Sequence, residues 1–364
     1  MINISQPIIG EEELRLVSEA VSSGWVSSQG KFTQEFEELF AAYCGTKYCI
    51  LTANGTVSLH LAMAVLNIGP GDEVIVPDLT FVATANIVKV AGATPVFADV
   101  RKNDWCIDPE DVRRKITPRT KAIIPVHLYG HPADMTTLKV LANEFNIPLI
   151  EDAAEAHGAL HFGQKVGGIG LMGSFSFFGN KIITTGEGGG LTTNSEEIAS
   201  RARILRDHGM STTKRYWYTQ IGFNYRMTNM QAALGVAQMK RIDSLIAQRD
   251  EILSIYRHYL EPAGFTLNPS LENNRPVNWI TCVLIDGIEK TQRDNIQLIL
   301  KERGIDSRPF FYCLSELPMY QTDSQPVSSH LSKIGINLPT FPGLTEAQIK
   351  FISEEFIIAV EKSR

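Results

Sequence analysis

Cysteine is scarce in this chain of 364 residues, and its five cysteines stand at positions 44, 49, 106, 282 and 313 without a CxxC pair. That spacing predicts neither a zinc site nor a disulfide framework, and an odd, scattered set is typical of a reducing compartment. Long hydrophobic runs are also missing, since none approaches the roughly 18 residues of a membrane span. The first six residues have neither the charged nor the apolar part of a secretion signal. We therefore expect a cytoplasmic protein without a membrane partner.

Positive charge is in deficit as well. Lysine and arginine number 34 against 40 aspartates and glutamates, so the net charge is −6. Binding of nucleic acid needs a basic face, and we expect no nucleic-acid partner. An acidic total does not exclude a phosphorylated ligand, because local donors decide that binding. With 44% hydrophobic residues, the chain is long enough for one large core and a second, smaller domain.

Short apolar runs alternate with helical patterns between about residues 47 and 195. The predicted strands are Tyr48–Thr52, Glu73–Val76, Thr94–Ala98, Ala122–Val126 and Pro148–Ile150. Segments with helical spacing, such as Val57–Leu66 and Thr136–Phe145, lie between them. This alternation predicts an α/β fold with a mostly parallel sheet covered on both faces. Ligands of such sheets bind beyond the carboxyl ends of the strands.

The second half of the chain opens with a long helical pattern. Thr228 and Gln231 form a capping-box pattern, and the helical spacing continues to about Leu260, before Pro262 and Gly264. We therefore predict a large domain over residues 1–260 and a small α+β domain over residues 261–364. In the small domain we predict a strand at Trp279–Ile285 and helices at Thr291–Arg303 and Thr345–Glu361.

Lys181 is the most informative residue, because aromatic, small polar and glycine residues surround it in the segment 174–190. A buried lysine loses its charge readily, and a neutral amine can form a Schiff base with an aldehyde. Asp152 closes the apolar run that begins at Ile147. A lysine for the Schiff base and an aspartate for a pyridinium nitrogen are the minimum set for pyridoxal phosphate chemistry. Each residue alone has an ordinary interpretation, as a surface lysine or a loop carboxylate.

Other patterns indicate phosphate binding or exclude rival sites. Gly55 and Thr56 open a helix directly after a strand, where free amides bind phosphate, although an ordinary βα turn has the same spacing. The GxGxxG at 168–173 is followed by a β-like segment, so it does not predict a dinucleotide site, and the glycine run 186–190 lacks a P-loop ending. His127 and His131 lie in a proline- and glycine-containing loop, so we predict no metal site.

Four stretches occur together in the order and spacing of one known family. They are Asn54–Leu61, Glu151–Gly158, Ser174–Gly190 and Gly222–Asn229. With them, the chain resembles the DegT/DnrJ/EryC1/StrS sugar-nucleotide aminotransferases nearly end to end, and within them the GDP-perosamine synthases. The resemblance implies pyridoxal phosphate as cofactor, in fold type I, the aspartate-aminotransferase type, with a large mostly parallel sheet domain and a smaller α+β domain.

The resemblance also implies roles for single residues. Lys181 holds the cofactor and then transfers protons, while Asp152 pairs with the pyridine nitrogen. The other implied cofactor contacts are Gly55 and Thr56 at the phosphate, Ser176 at the phosphate, Phe81 stacked on the ring, and Glu155 facing the ring hydroxyl. Asn224 is implied to reach the phosphate from a partner subunit. We therefore expect a homodimer with shared active sites.

Candidate substrate contacts come from three segments. Trp25 and Ser27 resemble a segment that lines the sugar-nucleotide pocket, and Arg308 and Tyr312 belong to an arginine-proline-aromatic block.

Arg215 and Trp217 lie in a cluster that either stacks a nucleotide base or forms a core patch. Perosamine synthases usually have a histidine where this chain has Ser315, and a proline at Cys313. The histidine lies near the sugar in the family, so we expect Ser315 to widen or shift sugar selectivity.

The predicted reaction transfers an amino group from glutamate to a nucleotide-linked keto-sugar, with 2-oxoglutarate as co-product. The implied substrate is GDP-4-keto-6-deoxymannose, which becomes GDP-perosamine. Alternatives are amination at the 3-position, a UDP or TDP carrier, a dehydratase, and a non-catalytic binding protein on the same fold. Dehydratases of this fold replace the Schiff-base lysine with histidine, and this chain keeps Lys181.

Overall fold

The computed structural model describes residues 1–364. Its helices are α1 Glu11–Ser22, α2 Lys31–Cys44, α3 Gly55–Val65, α4 Ala83–Val90, α5 Pro109–Lys115, α6 Met135–Phe145, α7 Glu196–Arg206, α8 Asn229–Met239, α9 Ile242–Leu260, α10 Lys290–Glu302, α11 Pro326–Ile334 and α12 Glu346–Ser363. Its strands are β1 Tyr48–Thr52, β2 Glu73–Pro77, β3 Thr94–Ala98, β4 Thr120–Ile123, β5 Ile150–Asp152, β6 Leu160–His161, β7 Gln164–Lys165, β8 Met172–Ser176, β9 Gly189–Thr193, β10 Thr266–Leu267, β11 Asn274–Arg275, β12 Thr281–Leu284, β13 Arg308–Pro309 and β14 Gly335–Leu338.

The main sheet has the strand order β1-β9-β8-β5-β4-β2-β3. Continuous ladders join β1 to β5 and β4 to β3, and single parallel bridges, Ile123 to Leu149 and Val126 to Asp152, connect the two halves. Strand β9 runs antiparallel to both of its neighbours, whereas β8 with β5 and β2 with β3 and β4 pair in parallel. The predicted mostly parallel sheet is confirmed.

Alternate side chains of the strands enter two separate cores. Cys49 and Leu51 of β1 and Ile75 of β2 belong to one apolar cluster, while Ile50 and Val74 belong to another. Because successive residues of a strand face opposite sides, this division shows that the sheet is covered on both faces. Helices α3, α4 and α7 cover one face, and α2 and α8 contribute to the core on the other.

Two predicted strands of the main sheet are displaced along the chain, and the strand predicted at Trp279–Ile285 is shorter, at Thr281–Leu284. The strand predicted at Ala122–Val126 lies at Thr120–Ile123, and the one predicted at Pro148–Ile150 lies at Ile150–Asp152. Pro125 has no backbone N–H, so β4 cannot extend its ladder through it. Its carbonyl still accepts a bond from the Asp152 N–H at 2.9 Å, which fixes the end of β5.

The single helix predicted from Thr228 to Leu260 is two helices. The capping box is present, since the Thr228 hydroxyl accepts from the Gln231 N–H and the Gln231 side chain bonds back to the Thr228 N–H. Arg241 then interrupts the helix with non-helical angles, φ −126° and ψ 8°. Helix α8 packs on α1 and α2, whereas α9 packs on α12, so tertiary packing sets the break.

The second sheet has the order β10-β12-β14-β13 and is antiparallel throughout. Helices α9, α10 and α12 pack together beside it. The amino-terminal residues also reach this sheet region, since Ile2 bridges Ile305 and the Thr340 N–H donates to the Ile4 carbonyl at 2.9 Å. A domain boundary near residue 260 stays a prediction. None of the helices combines the length and apolarity needed to traverse a bilayer.

Candidate active site

One cavity of about 990 Å³ collects most of the predicted site residues. It lies at the carboxyl ends of β1 and β5 and is also lined by residues of the second sheet, such as Asn337, and by Trp279, which precedes β12. The predicted residues that line it are Gly55, Thr56, Phe81, Asp152, Glu155, Ser176, Lys181, Arg308 and Tyr312. Parallel strands place their carboxyl ends at one edge, and the cavity stands where such sheets bind ligands.

Lys181 projects into this cavity from the loop between β8 and β9. Its side chain is 12% exposed, and its Nζ lies 3.8 Å from Glu155 Oε1 and 4.1 Å from the centre of the Trp279 ring. Burial lowers the pKa of the Lys181 amine, while Glu155 and Asp152 oppose that shift. The amine is therefore easier to deprotonate than an exposed lysine, as a nucleophile requires.

Asp152 ends β5 and is buried. Its Oδ2 accepts a hydrogen bond from the Thr84 hydroxyl at 2.8 Å, and its Oδ1 accepts from the Ala154 N–H at 3.2 Å. Burial raises the pKa of Asp152, and the bonds from Thr84 and Ala154 and the charge of Lys181 act in the opposite sense. A buried carboxylate held at two points is suited to pair with a cationic ring nitrogen.

Glu155 stands one turn beyond Asp152 and faces Lys181. Its Oε2 accepts from the Tyr129 N–H at 2.8 Å. Burial raises the pKa of Glu155 to about 7, although Lys181 and the Tyr129 N–H stabilise its charged form. Tyr129 has a left-handed backbone, φ 51° and ψ 22°, which is strained for an aromatic residue. This backbone conformation points the Tyr129 N–H at the Glu155 carboxylate.

The amino end of α3 also lines the cavity. Asn54 caps the helix, its side chain accepting from the Val57 N–H at 3.0 Å, while the N–H groups of Gly55 and Thr56 have no partner and are free for a ligand. Gly55 allows a close approach, because a Cβ there would stand 2.8 Å from the Ser176 Cβ. Gly189 is equally constrained, since its Cβ would meet the Asn54 carbonyl carbon at 2.5 Å. The glycines thus bring free amides and the Ser176 hydroxyl into one cradle that fits a phosphate group.

Aromatic side chains line the cavity as well. Phe81 is half exposed in the cavity and meets Phe311 edge to face, with ring centres 5.8 Å apart. Phe311 stacks on Tyr129 at 5.2 Å, and its N–H donates to the Tyr129 hydroxyl at 3.0 Å. Tyr312 and Arg308 lie on the same segment and are exposed. Phe81 thus presents its ring to the cavity, and its stacking on a cofactor ring stays a prediction.

Five predicted residues lie outside the cavity of their own chain: Trp25, Ser27, Arg215, Trp217 and Asn224. All five are exposed. They lie in two segments, and each segment is held by a contact outside the cavity. The Asn229 side chain donates to the Trp25 carbonyl, and Asp207 forms a β-bridge with Asn224. A single chain therefore does not unite these residues with Lys181.

Ser315 is fully buried and does not line the cavity. Its N–H and its hydroxyl each donate to the Asp78 carboxylate at 2.7 Å. Ser315 therefore does not face the cavity in this chain, because Asp78 takes both donors, and the expected effect of Ser315 on sugar selectivity stays a prediction. Any influence of Ser315 on selectivity has to act through the segment that it anchors, which carries Tyr312 and Leu314 into the cavity.

Sequence reasoning missed four residues that support the site: Thr84, Tyr129, Arg249 and Trp279. Arg249 is fully buried without a carboxylate partner, and it donates to the carbonyls of Trp279 at 2.7 Å and Thr340 at 3.1 Å. No local pattern marks these residues. For Trp279, the only sequence signal was its position at the start of the strand predicted at Trp279–Ile285.

A mainly parallel α/β sheet with a buried lysine and aspartate beside a glycine-bounded helix start defines a transferase of fold type I. A family profile described as "DegT/DnrJ/EryC1/StrS aminotransferase family" matches residues 7–356. The chain belongs to that family. The predicted family, fold class and enzyme class are confirmed.

Sequence relatives support the same assignment. A GDP-perosamine synthase of Caulobacter vibrioides is 45% identical over 353 residues, which are 96% of this chain and 95% of the relative. Another, of Vibrio cholerae, is 42% identical over 358 residues, 97% of each chain.

A solved structure agrees in fold. The sugar aminotransferase Spr1654 of Streptococcus pneumoniae, described as putative and solved in its PMP form, has a TM-score of 0.95 and 29% identity and covers 100% of this chain and 98% of its own. The same protein is also solved in a PLP form.

Proposed function

We propose that the protein is a pyridoxal phosphate-dependent aminotransferase that transfers the amino group of glutamate to a nucleotide-linked keto-sugar. The observation that carries the proposal is the meeting of Lys181, Asp152 and Glu155 in one cavity with the free amino end of α3. The named relatives support GDP-perosamine as product, and GDP-4-keto-6-deoxymannose is the keto-sugar substrate that the family resemblance implies for it. The five buried, unpaired cysteines support action in the cytoplasm.

The residues of the cavity fit the cofactor. Pyridoxal phosphate, when bound, supplies an electron sink for the carbon next to the transferred nitrogen. The α3 amides of Gly55 and Thr56 and the Ser176 hydroxyl would hold its phosphate. The Asp152 carboxylate would keep the ring nitrogen protonated, and Phe81 would cover the ring.

Lys181 has two tasks, covalent attachment and proton transfer. Its partly buried Nζ lies 3.8 Å from Glu155, so a proton on the amine has an acceptor within one short movement. Because the pKa of Glu155 is raised to about 7 by burial, this carboxyl can hold or release a proton near neutral pH. Lys181 then acts as general base and general acid at the carbon and nitrogen of the bound amino group.

We further propose a homodimer with shared active sites. Asn224, Trp25, Arg215 and Trp217 stay outside the cavity of their own chain, and Ile221 beside them is 91% exposed. A two-fold contact would place these residues against the partner's cavity and bury the apolar surface in two equivalent copies. Asn224 would then complete the phosphate cradle, and Arg215 with Trp217 would contact the nucleotide.

The test of the reaction is turnover against a panel of nucleotide keto-sugars with glutamate as donor. The panel should contain GDP-, UDP- and TDP-linked 4-keto and 3-keto sugars. We expect GDP-4-keto-6-deoxymannose to be aminated with the highest kcat/KM and Lys181→Ala to lose activity by several orders of magnitude. A clear preference for another carrier or position would contradict the substrate, and full activity of Lys181→Ala would contradict the mechanism.

The test of the shared site is subunit complementation. Lys181→Ala and Asn224→Ala chains should each be nearly inactive alone. Mixed dimers contain one site with both residues intact, so activity should return on mixing. Full activity of a wild-type preparation that sedimentation shows to be monomeric would refute the shared site.

A further inference from the structure

The indole of Trp279 forms one wall around the free amine of Lys181. The Lys181 Nζ lies 4.1 Å from the ring centre, a distance at which the negative face of an indole attracts a cation. Trp279 is 7% exposed, so the contact is largely sheltered from water. The attraction between an ammonium and an indole is stronger when both are desolvated.

Trp279 is itself held from three directions. Its indole N–H donates to the Asn180 carbonyl at 2.7 Å, directly beside Lys181. Its own carbonyl accepts from Arg249 Nη1 at 2.7 Å. Its ring is parallel to that of Tyr129, with centres 6.2 Å apart and planes inclined by 18°. The indole is therefore a fixed surface and not a side chain free to follow the amine.

Few other charges act on the Lys181 amine. Glu155 lies 3.8 Å away, and Asp152 is the second carboxylate that stabilises the ammonium form. Arg249 lies behind the loop, with Nη2 3.5 Å from the Lys181 carbonyl oxygen. His157 is neutral, because burial lowers its pKa to about 3. Glu155 is thus the ion-pair partner of the amine, and Trp279 is its cation–π partner.

We propose that Trp279 is a positioning residue that holds the released Lys181 amine beside Glu155 and stabilises its protonated form through the π face of the indole. The inference rests on the proposed role of Lys181 as the Schiff-base lysine. Without this wall, the freed amine could rotate away from the reacting carbon, and burial alone would disfavour its charge. With it, Lys181 stays in place and can return the proton that it has taken.

The decisive test changes the electron density of the indole without changing its shape. Fluorinated tryptophans are placed at position 279, with one, two and four ring fluorines, which weaken the π face and leave the N–H to Asn180 in place. The protein is studied with pyridoxamine phosphate bound, the form in which Lys181 is free. The pH dependence of Lys181 acetylation, followed by peptide mass spectrometry, gives the apparent pKa of its amine.

We expect the apparent pKa of Lys181 to fall stepwise with fluorine number, by about one unit for four fluorines, a tenfold change in proton affinity. An unchanged midpoint across the series would overturn the proposal. Trp279→Phe keeps a π face and loses the bond to Asn180, so its midpoint should lie between wild type and Trp279→Leu. Equal midpoints for the Phe and Leu variants would equally contradict a role of the ring face.

A separate measurement distinguishes this proposal from the role of Lys181. Borohydride reduction of the pyridoxal phosphate form should attach the cofactor to Lys181. If another lysine is labelled, the proposed function of Lys181 fails, whereas the fluorination series still reports whether Trp279 stabilises the charged amine.

Discussion

Replacing Asp152 with asparagine removes the negative charge of the side chain and leaves its packing nearly unchanged. Asparagine has nearly the same volume, and its Oδ1 can still accept the Ala154 N–H. Its amide nitrogen can donate to the Thr84 hydroxyl, which now accepts in place of donating. The two hydrogen bonds of the wild type, 2.8 Å to Thr84 and 3.2 Å to Ala154, therefore have substitutes. The fold should survive while the negative charge is lost.

The size of the expected rate loss follows from how far the Asp152 charge raises the pKa of the cofactor's ring nitrogen. An opposite charge in direct contact shifts a pKa by about 1–3 units, and a shift of two units corresponds to about 2.7 kcal/mol. We therefore expect Asp152→Asn to lower the rate of the glutamate half-reaction about 100-fold or more. Thr84→Val is the matched control, because it removes one hydrogen bond and keeps the charge, and its loss should be nearer tenfold.

The assay is single-turnover absorbance of the bound cofactor after mixing with glutamate, at full cofactor occupancy. Chemical denaturation of each variant checks that the fold is intact. If Asp152→Asn reacts within threefold of wild type, Asp152 is only a structural carboxylate and the proposed electrostatic role is wrong.

Two further predictions concern Glu155 and Ser315. Burial raises the pKa of Glu155 from 4.5 to about 7, so its contribution to stability is complete below pH 4.5 and is lost as pH rises through 7. Over that range, cofactor-free wild type should lose on the order of 3 kcal/mol of unfolding free energy relative to Glu155→Gln in denaturation at fixed protein concentration, and parallel pH profiles of the two proteins would contradict the shift. Ser315→His should lower the melting temperature by several degrees, because a larger ring replaces a fully buried serine that donates twice to Asp78. Ser315→Ala should lower the free energy of unfolding by about 1.5–3 kcal/mol. Unchanged melting of both variants would mean that the contacts to Asp78 do not stabilise the fold.

The sequence predicted the parts of the fold that depend on local pattern. Strands β1 and β3 have the predicted bounds, since β-branched and apolar residues lie between clear turns there. The capping box at Thr228 was also predictable, because it needs only two residues three apart. The break at Arg241 was not, since no proline or glycine marks it and the cause is packing of α8 and α9 on different partners.

The same division holds for the cavity. Lys181 and Asp152 stand in short motifs whose chemistry is visible in the residues themselves. Trp279 and Arg249 contribute through contacts across the fold, such as the bond from the Trp279 indole to the Asn180 carbonyl, which spans 99 residues of chain. Spacing carries no information about such a contact. Ser315 shows the converse, since its alignment with a sugar-facing histidine did not reveal that Asp78 would bind it.

Residues of the second sheet and residues that flank it are therefore part of the active site. Arg249 on α9 has no carboxylate partner, and its guanidinium reaches carbonyls of Trp279, Thr340 and Lys181. A buried cation that bonds only to carbonyls is costly, so losing any of its three contacts should be strongly unfavourable. Those contacts join the Lys181 loop of the first sheet to residues that flank the second. The position of the reactive amine is consequently set by both sheets, and a displacement of either one would move Lys181 relative to Asp152 and Glu155.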